Sequence, residues 1–195
     1  MIHPATRVAE VSPSVGLGVF ATASIPAGTI VWTQDRFDRV ISPAEYAEMD
    51  AAHRAVLDRY AHLDADQTRI LCWDAGRYVN HACRPNLRGI GTWFMVASRD
   101  IGSGDELTCD YAECNILEPL DCRCGSPRCR GRVHAEDLRF HYAAMDDEAR
   151  ALLPAVRSVR QPLWPFLLDP DRARAWIQGE EDLPSFRDFC ASPAA

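Results

Sequence analysis

The sequence predicts a mainly β fold with one helical insert and further helices at its C-terminal end. Three observations carry that expectation. Up to residue 111, short apolar segments recur between Gly, Pro, Asn and Asp. Between residues 42 and 63 the apolar spacing becomes helical. From Asp146 an acid-led run again reads as helix.

Residues 8–32 read as short strands, because Ser12-Pro13-Ser14, Gly16-Leu17-Gly18 and Ile25-Pro26-Ala27-Gly28 are turn signals and apolar Thr29-Ile30-Val31-Trp32 follows the last. Ser42 is then a good N-cap, Pro43 suits the first helical turn and Glu45 stands at the capping-box position. Tyr46, Met49, His53, Val56, Leu57 and Tyr60 recur near helical spacing, so one or two helices are expected between strands. Strands are expected again at 70–73, 78–79, 93–96 and 106–109, each bounded by turn residues. Residues 122–129 are too polar to carry a core and need another source of order. Asp146 is expected to cap a helix through Leu153, with acids in the first turn where the helix dipole favours them.

A chain of 195 residues suffices for one domain with an appendage. Its 47% hydrophobic and 25% charged residues are those of an ordinary globular protein. No apolar run approaches the roughly 18–20 residues of a membrane span, and MIHPATRVAEV lacks the basic-then-apolar pattern of a secretory signal. A reducing compartment is expected, cytoplasmic or, in a eukaryote, nuclear. There, clustered cysteines among the eight present read as a metal site rather than as disulfides. A net charge of −7 disfavours nucleic acid and favours a cationic protein partner. All 21 basic residues are arginine, so the chain holds no lysine.

Four segments carry chemistry. Gly16-Leu17-Gly18-Val19-Phe20 lets the backbone approach a ligand, although GxG alone is more often a tight turn. Arg77-Tyr78-Val79-Asn80-His81-Ala82-Cys83-Arg84-Pro85-Asn86 is poor core and poor helix material and reads as a loop displaying polar groups; His81 by itself would be a structural histidine. Gly104-Asp105-Glu106-Leu107-Thr108-Cys109-Asp110-Tyr111 is a turn feeding a short strand that ends on an acid and a tyrosine. Cys122-Arg123-Cys124-Gly125-Ser126-Pro127-Arg128-Cys129 can wrap three thiolates around one ion, and a closed tetrahedral zinc site needs a fourth. From sequence alone Cys83 and Cys114 both compete for that place.

Together and in this order, the segments resemble the SET domain. GLGVF is similar to its first glycine motif, RYVNHACRPN to its signature RFxNHSCxPN, GDELTCDY to GEELTxDY, and the cysteine run to the post-SET zinc motif; the resemblance spans about residues 8–134. It implies a SET fold of small curved sheets, β-clip-like, with the signature threaded beneath the loop before the tyrosine as a pseudoknot. It implies a SET domain at 5–117 with its helical insert at about 42–68, a post-SET zinc segment at 118–134 and a C-terminal helical extension at 135–195. The implied activity is methyl transfer from S-adenosylmethionine to the side-chain amine of lysine in a basic protein or peptide. Gly16, Leu17, Gly18, Arg77, Asn80 and His81 are then cofactor-binding, and Tyr111, also against the cofactor, is catalytic. Cys83, Cys122, Cys124 and Cys129 are the implied Zn²⁺ ligands, with Cys83 preferred to Cys114 on this ground. Cys109 stands in the substrate channel where the family commonly has Phe or Tyr, and Ala82 where it most often has Ser. Where many members place an aromatic against the cofactor, Val133 or His134 must serve. Two other classes compete: an inactive SET scaffold that binds a basic partner, and a zinc-stapled nucleic-acid module using Arg123, Arg128, Arg130 and Arg132.

Overall fold

A computed structural model describes residues 1–91, 93–134 and 136–190. In chain order they form β1 (Thr6–Ser12), β2 (Gly16–Ala21), β3 (Ile30–Thr33), β4 (Arg39–Ile41), α1 (Pro43–Glu48), α2 (Ala51–Tyr60), β5 (Ala61–Leu63) and β6 (Arg69–Leu71). Then come β7 (Asn80–His81), β8 (Leu87–Ile90), β9 (Phe94–Ala97), β10 (Glu106–Cys109), β11 (Leu120–Asp121), β12 (Arg132–Val133), α3 (Asp137–Ser158) and α4 (Pro170–Gln178). The strands make four small sheets, ordered β1-β2-β10-β7, β3-β9-β8, β4-β6-β5 and β11-β12. This is the expected architecture of small sheets with a few helices.

The first sheet positions the chemistry. β7 runs parallel to β10, with Asn80 opposite Thr108 and His81 opposite Cys109, so the two motif segments lie side by side. Asn86 extends this seam: its Nδ2 donates to the Glu106 carbonyl at 2.8 Å and its Oδ1 accepts from Thr108 N at 2.8 Å. Along β10 burial alternates with the strand's period of two, so Leu107 and Cys109 point into the core while Glu106 and Thr108 face the seam. Beneath lies a cluster of Val19, Ile25, Val31, Leu87, Ile101 and Leu107.

The helical insert forms, with corrections. Ser42 Oγ accepts from Glu45 N at 3.1 Å as expected, but the Glu45 carboxylate goes to Arg39 at 2.6 Å instead of closing a capping box. The chain breaks at Met49, and Asp50 caps a second helix by accepting from His53 N at 2.9 Å. Helix ends at Tyr60, not near 68, and β5 and β6 follow, because residues 61–63 and 69–71 pair and cover α2. Only Leu57 of the two helices is buried, so the other spaced apolar residues make no core of their own.

Two more expectations change. Residues 78–79 do not make a strand: Tyr78 ends a 3₁₀ turn, Ala75–Tyr78, nucleated by the Asp74 side chain accepting from Gly76 N at 2.9 Å. Asp146 is no helix cap, since α3 starts at Asp137 and Asp146 lies buried in its middle, accepting from Ser185 Oγ at 2.6 Å and Phe186 N at 2.7 Å. Its carboxylate therefore serves the last 3₁₀ turn, Phe186–Phe189, instead of its own helix. The C-terminal extension packs on the β3-β9-β8 sheet in one core that joins Ile30, Ile90 and Phe94 to Leu138, Met145, Trp176 and Phe186. Trp93 stacks on Trp176 with ring centroids 4.6 Å apart. Residues 135 and 191–195 of the expected extension lie outside the described residues. Among the described residues no helix is long and apolar enough to cross a membrane.

Candidate active site

Tyr111 begins the 3₁₀ turn Tyr111–Cys114 directly after β10, and Asp110 caps that turn by accepting from Ala112 N at 3.1 Å. The Tyr111 hydroxyl donates to the Val79 carbonyl at 3.1 Å, which aims the ring at the end of the signature segment. Burial, with the neighbouring Cys109, pushes the phenol's pKa up, so it remains protonated at neutral pH.

His81 joins Tyr111 to the cysteines. Its Nδ1 accepts from Tyr111 N at 3.2 Å, which leaves the ring proton on Nε2, facing Cys83 Sγ at 3.3 Å. Burial lowers its pKa despite the Asp110 carboxylate 3.6 Å away, so the imidazole is neutral. Both ring nitrogens are thus used inside the fold. Asn80 Nδ2 donates to the Leu17 carbonyl at 3.0 Å and to Glu106 Oε1 at 2.8 Å, tying the glycine strand to the seam. Gly18 has no room for a side chain, since a Cβ would lie 2.6 Å from Glu106 Oε1 and 3.0 Å from Asn80 Nδ2. Gly16 takes φ 88°, where glycine is favoured, and the Leu17 side chain is exposed.

A cavity of about 530 Å³ opens beside Tyr111. Cys109, Val79, Met95, Leu57, Tyr60 and Leu117 give it a largely apolar wall. Arg77 lines it too, its guanidinium bound to the carbonyls of Trp73 and Asp74, whereas Asn80 and His81 do not. Asn80 and His81 are bound instead within the seam between the motif segments. Hydrogen bonding with Cys114 and burial hold the Cys109 thiol well above its ordinary range, so it is a neutral wall.

The sulfurs of Cys83, Cys122, Cys124 and Cys129 lie within 4.8 Å of one another. Cys83 Sγ and Cys122 Sγ are 3.7 Å apart, near the separation of about 3.8 Å that tetrahedral Zn–S bonds of 2.3 Å require. Arg130 N donates to Cys83 Sγ at 3.3 Å and Gly131 N to Cys129 Sγ at 3.4 Å. The β11-β12 pair closes the segment at its base. The donor set therefore fits a zinc ion. Cys114, the competing fourth ligand, is not in this group and lines the cavity instead.

The family description that matches residues 16–112 is the SET domain. Residues 16–112 are a SET domain. The human histone-lysine N-methyltransferase EHMT1 is 31% identical over 158 residues, 71% of this chain and 12% of that protein. Histone-lysine N-methyltransferase ash1 of Drosophila melanogaster is 38% identical over 72 residues, 32% of this chain and 3% of that protein. Histone-lysine N-methyltransferase ASHR3 of Arabidopsis thaliana is 30% identical over 128 residues, 60% of this chain and 25% of that protein. The chain thus spans a quarter or less of the length of these curated relatives.

Several residues that organise this SET domain carry no obvious sequence signal. Asp110 and Glu106 sit inside a recognised motif, but their partners, Arg130 and Asn80, lie far along the chain. Glu113 is buried beside Arg88, and burial pushes its carboxyl up to about 7 although Arg88 and Gly89 N oppose the shift. Of the basic run, Arg130 pairs with Asp110 and Asp137 and Arg132 with Asp121 at 3.7 Å, so half of it is committed internally. Val133 is fully buried, leaving exposed His134 as the residue of that pair able to face a ligand.

Proposed function

We propose that this chain is a protein-lysine N-methyltransferase acting on a lysine-bearing basic protein or peptide. The observation that carries the reading is the place of Tyr111, which lines an open, largely apolar cavity and is hydrogen-bonded to both signature residues Val79 and His81. Gly16, Leu17, Gly18, Asn80, His81 and Arg77 would hold S-adenosylmethionine around Tyr111. Bound there, S-adenosylmethionine supplies a methyl group activated by a sulfonium charge.

The remaining work falls to the chain. A lysine amine has a pKa near 10.4 and must lose its proton to become a nucleophile. The apolar wall of Leu57, Tyr60, Val79, Met95 and Cys109 disfavours the ammonium by desolvation. The neutral Tyr111 hydroxyl and the Val79 carbonyl offer fixed dipoles at the reacting end, and orientation between two walls supplies the proximity term. Cys83, Cys122, Cys124 and Cys129 would hold Zn²⁺, whose role is to order a segment too polar to order itself. We divide the chain into a SET domain at 5–117, a zinc segment at 118–134 and an extension at 135–195, and assign it to the cytoplasm, or the nucleus in a eukaryote.

Incubating the protein with methyl-labelled S-adenosylmethionine and a protein extract tests the reading. A labelled band whose modified residue is lysine is expected; label on no protein, from metal-replete enzyme, would overturn it.

A further inference from the structure

Tyr111 sits in a single 3₁₀ turn of four residues. Its backbone is closed by Glu113 N to Asp110 O at 2.9 Å and by a stretched Asn115 N to Ala112 O at 3.5 Å. The i→i+3 hydrogen bonds of a 3₁₀ turn have poorer geometry than those of an α-helix. Side chains on the turn reach outward instead, and both lead to the C-terminal extension.

The first is Asn115, 3% exposed and in the left-handed region at φ 48°, ψ 48°. Asparagine tolerates that region, and its amide has two donors. Nδ2 spends them on Leu63 O of β5 at 3.1 Å and on Phe189 O at 2.7 Å. One side chain thereby joins the turn to the insert and to the 3₁₀ turn Phe186–Phe189, which Asp146 of α3 holds in place.

The second is Glu113, 7% exposed. Its Oε1 pairs with Arg88 Nη1 and its Oε2 accepts from Gly89 N at 2.9 Å. Gly89 is required there, because a Cβ would lie 2.7 Å from Glu113 Oε2. The other arm of Arg88 donates to Glu148 Oε2 of α3 at 2.6 Å. Removing one partner of a buried pair leaves an uncompensated charge, so this contact resists displacement.

We propose that Glu113 and Asn115 are positioning residues for Tyr111, and that the C-terminal extension holds the site in register through them. The proposal rests on the methyltransferase reading above. Displacement of α3 or of the Phe186–Phe189 turn would move the turn that carries Tyr111.

The test uses the full chain with Asn115→Gly, which keeps the left-handed backbone and removes both amide hydrogen bonds, and Glu113→Gln, which keeps the acceptor for Gly89 and removes the charge. Cofactor Kd, peptide KM, kcat, thermal melting and hydrogen exchange of residues 109–115 are measured. The expected result is a cooperative melt, Kd and KM within about twofold, kcat lower by roughly ten- to a hundredfold, and faster exchange at 109–115. Wild-type kcat in the folded variants, or a loss confined to KM, would overturn it. If either variant does not fold, Glu148→Ala and Ser185→Ala act at the outer ends of the two contact chains. A kcat loss of a few fold at unchanged Kd supports the proposal there, and unchanged kcat together with unchanged exchange at 109–115 defeats it. Should the wild-type enzyme transfer no methyl at all, the exchange measurement still decides: unaltered protection of 109–115 in Asn115→Gly refutes positioning independently of the assigned activity.

Discussion

Arg130 Nη2 donates to Asp110 Oδ1 at 2.5 Å, joining the residue after the last zinc-segment cysteine to the residue before Tyr111. The same arginine donates its backbone N–H to Cys83 Sγ at 3.3 Å and reaches Asp137 at 3.2 Å. The cysteine cluster is therefore latched to the Tyr111 turn by a side chain as well as through His81. The cysteine cluster and the turn that carries Tyr111 thus share two direct links.

Arg130→Ala should keep the four thiols but strand the buried Asp110 carboxylate. The expected cost is about 3 kcal/mol, at the low end for a broken buried pair because part of Arg130 is exposed. Urea denaturation measures it alongside zinc content by atomic absorption. An unchanged midpoint would mean that the pair contributes nothing.

Tyr111→Phe deletes one hydroxyl and with it the bond to Val79 O. Cofactor binding should be retained while turnover drops roughly a hundredfold, the scale of losing one preorganised group at a reacting centre. Titration calorimetry and initial rates separate the two quantities. Methylation at wild-type rate would remove Tyr111 from the mechanism.

Much of this was legible in advance for a physical reason. Turn residues and short apolar runs are local, so 106–109 was found to the residue, and Ser42 was found as a cap. The segments around Tyr111 and His81 and the run Cys122–Cys129 stand out because each motif is contiguous, whereas the place of Cys83 beside that run, 39 residues away, needs the fold. Arg88, Glu113, Asn115 and Glu148 do not stand out, since each looks like a surface polar residue until chain folding brings partners 24 to 74 residues apart into contact. Asp146 failed for the same cause: its acid-rich neighbourhood imitates a helix start, while its partners lie 39 and 40 residues later.

Cys83→Ser should release metal and lower activity together, whereas Cys114→Ser should leave zinc content near one per chain, because only Cys83 belongs to the cluster. Metal analysis after dialysis against a chelator is the measurement. Zinc lost from Cys114→Ser and kept by Cys83→Ser would transfer the ligand role.

Glu113 sets a pH dependence whose sign follows from its raised pKa. Folding lifts the carboxyl from 4.5 to about 7, so the folded chain holds the proton more tightly than the unfolded one. Its contribution is full below pH 4.5 and is lost as pH rises to about 7. Glu113→Gln should flatten that part of the profile. Subtracting the variant's unfolding free energy from the wild type's between pH 5 and 8 cancels titrations common to both, the cysteines included. A pH-independent difference would show that Arg88 holds Glu113 ionised throughout.

Cys109 is buried to 4% exposure at the wall that Tyr111 shares, where Phe or Tyr commonly stands in SET domains. A thiol is far smaller than either ring and offers no phenolic hydroxyl to restrain an amine or a water. Room beside the amine lets a methylated product turn and present its lone pair again. Di- or trimethyl-lysine should therefore accumulate over time. Mass spectrometry of a substrate peptide under excess cofactor follows this, and monomethyl product alone would refute the argument from space. Cys109→Tyr should shift the products toward monomethyl. Its hydroxyl would enter a cavity that also holds Met95 and Cys114, so overpacking of one to a few kcal/mol has to be excluded by melting. A folded Cys109→Tyr enzyme with an unchanged product distribution would mean that another residue bounds the channel, and Met95 or Cys114 would be the next to replace.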